Sequence, residues 1–119
     1  MTTYIKAFVS LLLGVVALTA VPAMHGIVLA ADEVEITISI KDHKFDPAEV
    51  KVPAGKPIKL TVKNLDSTAE EFESKPLKVE KVISGGGTAV IRLKAQTKGS
   101  YKFFGEYNEK TAQGVLIVE

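Results

Sequence analysis

The chain has no cysteine and no tryptophan, and both of its methionines, Met1 and Met24, fall in the first quarter. Without cysteine there is no disulfide, no thiolate metal ligand and no thiol nucleophile. Histidine is nearly as scarce, with only His25 and His43. No Ser-His-Asp set of recognisable spacing is present, so nothing points to a hydrolase. Charge of one sign is also lacking. The formal net charge is +1, which leaves no basic surplus to neutralise phosphates and excludes nucleic acid as a partner. No segment carries a helical apolar stripe. The three glycines Gly85-Gly86-Gly87 read as a hairpin-like turn that needs positive φ, not as a phosphate-binding loop.

The 119 residues suffice for one domain. Lys6 is the only charge before Asp32, and an almost wholly apolar run lies between them. A basic start, an apolar run and small residues before a polar chain make a secretory signal. Ala30 with Val28, or Ala23 with Val21, satisfies the small-residue rule for cleavage. Residues 1–31 therefore read as a signal peptide and 32–119 as the exported domain. The run is also long enough for an uncleaved anchor helix, although Pro22 and His25 interrupt it. Either way the domain is placed outside the cytoplasmic membrane.

From Val34 onward the dominant period is two. Val34, Ile36, Ile38 and Ile40 alternate with Glu35, Thr37, Ser39 and Lys41, the mark of a strand with one wet face. Glu49–Val52, Ile58–Val62, Val79–Ile83, Ala89–Lys94, Tyr101–Phe104 and Val115–Val118 follow as further strands. Turn signals stand between them at Pro53–Pro57, Asn64–Thr68, Ser84–Gly87 and Lys98-Gly99. Seven or eight short strands at this spacing predict an all-β sandwich.

Five pieces carry a family resemblance. They are Phe45-x-Pro47, Val52-Pro53-Ala54-Gly55, the strand into Asn64, Gly99-x-Tyr101-x-Phe103-Phe104, and Gly114-Val115-Leu116-Ile117-Val118. Each is weak alone, but in this order and spacing the chain resembles the cupredoxins over nearly all of residues 32–119. Glu70–Ser74, Glu80–Ile83, Phe103–Glu109 and Thr111–Gly114 are similar to the EfeO-type cupredoxin-like domains. Among these they look most like the small FtrB-like proteins of bacterial ferrous-iron uptake. The resemblance implies a Greek-key β-sandwich with a metal site at one end. It also implies two partners, a periplasmic iron-binding protein and a membrane iron permease. The ion would be iron, copper or both.

A type 1 copper site takes two histidines, a cysteine thiolate and usually an axial methionine. His43 is the one histidine after residue 31, and both sulfur ligands are missing. By the resemblance, Gly105 stands in the thiolate slot, Asn108 near the second histidine slot, and Glu70 and Glu71 in the first. Carboxylate and amide have replaced sulfur and imidazole. Hard oxygen donors suit iron, Mn(II), Ca(II) and, less selectively, Cu(II). Glu71 and Glu73 are two apart, so if strand geometry persists there, both carboxylates point to one side and Phe72 to the other. Side by side they repel unless a cation or a base lies between them. The alternative is a solvated acidic edge balanced by Lys75 and Lys78. Glu106, directly after the lost thiolate position, is the third candidate. His43 and Asp46 flank Phe45 near the same end and complete the candidate metal ligands. Two functions follow, a component that binds and oxidises Fe(II), or a non-catalytic iron or copper carrier. A third reading is a metal-free module that docks on a permease.

Overall fold

The computed structural model describes residues 32–119. The expected export signal, residues 1–31, lies outside the described residues.

Among the described residues, nine strands form two sheets. In chain order they are β1 (Val34–Lys41), β2 (Lys44–Asp46), β3 (Glu49–Val52), β4 (Ile58–Asn64), β5 (Glu70–Ser74), β6 (Val79–Ile83), β7 (Thr88–Leu93), β8 (Gly99–Gly105) and β9 (Gln113–Val118). One sheet runs β2-β1-β4-β7 and the other β3-β9-β8-β5-β6. β1 pairs with β4, and β3 with β9, in parallel; the other pairings are antiparallel. This is the expected Greek-key sandwich. β2 is too short, at three residues, for alternation to register in the sequence.

The two-residue alternation decides which side chains go inside. Ile38, Ile40, Leu60 and Val62 of one sheet face Val52, Phe72, Phe103 and Leu116 of the other, all buried. Three phenylalanines fill the centre. Phe72 stacks on Phe103 at 5.1 Å, and Phe45 meets both edge-on at 5.9 and 5.0 Å, geometries that suit the ring quadrupole. Gly114 makes room for this group, since a Cβ there would come within 2.3 Å of the Phe103 ring.

Two connections position the residues of interest. Asp42 and His43, at φ 52° and 58°, form the two-residue turn between β1 and β2; positive φ at both central positions is what a type I′ hairpin needs. Residues 75–78 join β5 to β6, with the Lys78 N–H donating to the Lys75 carbonyl at 3.1 Å. That hairpin sets Glu73 directly opposite Glu80.

Phe72 has no exposed surface. Phe72→Ala should cost about 3–5 kcal/mol of unfolding free energy, measured by urea denaturation, whereas Val82→Ala, at an exposed position on β6, should change it by less than about 0.5 kcal/mol.

Candidate metal centre

β5 presents two different faces. Glu70, Phe72 and Ser74 point inward and are almost wholly inaccessible, and Glu71 on the opposite side is itself only 8% exposed. Glu71 and Glu73 therefore lie on the outer face of the sheet. There they meet Glu80 from β6 and Glu106, the first residue of a 3-10 turn spanning Glu106–Asn108. One carboxylate oxygen from each of Glu71, Glu73, Glu80 and Glu106 lies within 4.8 Å of the other three. Around a six-coordinate ion with bonds of about 2.1–2.5 Å, opposite oxygens are about 4.2–5 Å apart. The spacing of the four oxygens is compatible with one shared cation.

The electrostatics fit crowded carboxylates. The Glu71 pKa is pushed up to about 7, first by a hydrogen bond with Glu80 that only the protonated acid can donate, then by burial, then by the charge of Glu106. Burial, a hydrogen bond with Glu106 and the nearby negative charges also raise Glu73, against a smaller opposing effect of Lys75. Among the described residues, neither Lys75 nor Lys78 forms an ion pair with these acids.

Of the five residues singled out in the sequence, the structure brings Glu71, Glu73 and Glu106 together and leaves His43 and Asp46 out of the group. His43 belongs to a different arrangement. The backbone N–H groups of Asp42 and His43 donate to the Asp66 carboxylate at 2.7 and 3.0 Å. The His43 imidazole stands 3.6 Å from the same carboxylate. The bond from His43, then the one from Asp42 and the charges of His43 and Lys41, hold the Asp66 carboxyl below its usual range against the effect of burial. Asp46 sits on β2, opposite Ser39 of β1.

Glu80 is the member that the sequence reading missed. The signal was available as register. A four-residue connection between antiparallel strands ending at Ser74 and starting at Val79 places residue 73 across from residue 80.

The model of the cupredoxin-like domain family matches residues 9–118. The chain belongs to that family. An uncharacterised protein of Rickettsia prowazekii is 44% identical over 84 residues, covering 71% of this chain and 67% of that one. Among solved structures, the metal-binding domain of the Cu(I)-exporting P-type ATPase CopA of Streptococcus pneumoniae superposes with TM-score 0.67. It is 20% identical and covers 74% of this chain and 87% of that one. Auracyanin A, a blue copper protein of Chloroflexus aurantiacus, gives TM-score 0.63 at 17% identity, over 73% of this chain and 99% of that one. At these identities the structural matches speak for the fold alone.

A type 1 copper centre does not fit this member. The described residues contain neither cysteine nor methionine, and their single histidine is engaged at the β1–β2 turn. Cu(II) added to the purified protein should therefore give no intense visible charge-transfer band, because that band requires a copper–thiolate bond; a deep blue protein would contradict this.

The crowding also predicts a pH dependence of the apo-protein. Unfolded, Glu71 loses its proton near 4.5; folded, it keeps the proton until about pH 7. Between those values only the unfolded state releases a proton, so this group's contribution to stability is present below 4.5 and is lost as pH rises to about 7. Melting temperatures across this window should fall more steeply with pH in the parent than in Glu71→Gln, which keeps a donor for Glu80 but does not titrate.

Proposed function

We propose that this chain is an exported iron-binding protein of a periplasmic ferrous-uptake system, with Glu71, Glu73, Glu80 and Glu106 as the iron site. The observation that carries the reading is the convergence of four carboxylates on the outer face of a cupredoxin-type sandwich that has lost the family's sulfur ligands. An all-oxygen set with up to four negative charges selects a hard, highly charged ion. It stabilises Fe(III) more than Fe(II) and so lowers the potential of bound iron, which eases loss of one electron to bound Cu(II) or to oxygen. The EfeO-type resemblance supplies the context: a periplasmic iron-binding protein and a membrane iron permease as partners, and export through residues 1–31.

The Cu(I) domain of the CopA ATPase raises copper as a second cargo. Cu(I) is soft and prefers sulfur or imidazole, and the cluster offers neither. Cu(II) is the stronger divalent competitor, since it outranks Fe(II) at a given oxygen site. The donors therefore disfavour Cu(I), and they favour iron over Cu(II) through Fe(III), the harder and more highly charged ion.

Calorimetric titration with Fe(II) under anaerobic conditions tests the site. The double variant Glu71→Gln/Glu73→Gln keeps size and hydrogen bonding and removes two charges. Affinity should fall by roughly 100-fold, the upper end of what losing one outer-shell partner costs a metal site, while apo-protein stability stays the same or rises slightly as repulsion is relieved. Unchanged affinity would refute the carboxylate site. Aerobic Fe(II) oxidation above the buffer rate separates a redox component from a carrier.

A further inference from the structure

Glu70, next to Glu71 on β5, is absent from the acidic cluster and is 2% exposed. Three donors satisfy it. Its Oε1 accepts the backbone N–H of Glu71 at 3.0 Å and that of Tyr107 at 2.9 Å, and its Oε2 accepts the Asn108 side-chain Nδ2 at 2.6 Å. A buried carboxylate without a cation is tolerated only when hydrogen bonds compensate it this fully. Two of the three donors belong to the turn Glu106–Asn108, which contributes one member of the cluster. Gly105 completes the cradle. A Cβ there would lie 2.6 Å from the Glu70 Cδ, so only glycine lets the side chain pass. The same turn is tied from its far side, where the Ala112 N–H donates to the Asn108 carbonyl at 2.8 Å and the Gly105 N–H to the Ala112 carbonyl at 2.9 Å.

The geometry points to Glu70 as the positioning residue of the iron site: its buried carboxylate, held between Gly105 and Asn108, fixes the turn that carries Glu106 against Glu71, Glu73 and Glu80. This rests on the proposed function for its consequence but not for its geometry. The positions that correspond to the thiolate and the second histidine in the cupredoxin resemblance are here closed by Glu70 and its hydrogen bonds. The interior holds an anchored carboxylate, and the ligands stand one layer out, on the sheet's outer face. Glu70 touches no ion; it acts through Glu106.

Two variants test this, Glu70→Gln, which keeps size and removes the charge, and Asn108→Ala, which removes one donor and leaves two. Mn(II), a redox-inert probe, is titrated into the full exported domain. Each variant should weaken Mn(II) binding by roughly 10–100-fold. Neither should weaken it further in a Glu106→Gln background, because the contact through which they act is already gone. A purely structural role predicts lower apo stability with Mn(II) affinity of the folded protein unchanged, or additive losses in the double variants; either result overturns the proposal. Hydrogen exchange of the Tyr107 amide in apo-protein gives a readout that needs no metal. Its protection should fall by roughly tenfold or more in Glu70→Gln, and protection equal to the parent would also overturn the proposal. If the parent itself binds no Mn(II), the iron-site reading fails, and the Tyr107 exchange alone decides whether Glu70 fixes the turn.

Discussion

The acidic end of this sandwich depends on how β5 is seated. Phe72 is locked between Phe45 and Phe103 at the centre of the core, and a strand pinned at one residue has no freedom in its neighbours' directions. Glu70 and Ser74 must go inward with Phe72, and Glu71 and Glu73 must go outward. A shift of one residue would turn Glu71 and Glu73 toward the core and expose the Phe72 ring. Burial of apolar surface therefore sets the positions of charges that would otherwise separate.

The charges themselves are held against their repulsion. Four carboxylates with oxygens within 4.8 Å raise one another's proton affinity, as Glu71 and Glu73 show. The rigid β5–β6 hairpin accounts for three of them, and the anchored 3-10 turn supplies the fourth. Surface acids on mobile loops would relieve such crowding by moving apart; these are mounted on a paired sheet and a hydrogen-bonded turn. A proton on Glu71 or a cation among the oxygens is the remaining relief. The cupredoxin-like frame is preserved in this chain, and the described residues offer oxygen donors but no sulfur where a type 1 copper site takes sulfur and nitrogen.

Most of the fold was legible in the sequence because its period-two alternation is strict wherever one face of a strand is wet, as in Val34–Lys41 and Ile58–Val62. β2 escaped because three residues cannot show a period, and β5 because three glutamates and a serine around one phenylalanine show no apolar alternation. At the candidate site, Glu71 and Glu73 could be read from their spacing and Glu106 from its place after the Gly-x-Tyr strand. Glu80 required the register of a hairpin, which depends on where both strands end. The separate placement of His43 depends on a carboxylate 23 residues away, Asp66, and no local pattern announces it. Glu70 and Glu71 look alike as letters; the strand's orientation alone makes one a buried anchor and the other a candidate ligand.

The central claim is that a hard cation binds on the outer face of the sheet rather than at the histidine or in the interior. Crystals of residues 32–119 soaked in Mn(II) and measured at the manganese absorption edge locate the ion directly by its anomalous scattering. The account predicts one strong anomalous peak bounded by carboxylate oxygens of Glu71, Glu73, Glu80 and Glu106, with the Glu70 carboxylate still bonded to Tyr107 and Asn108. A peak at His43 and Asp66, one between Glu70 and Asn108, or none at the cluster, would contradict it.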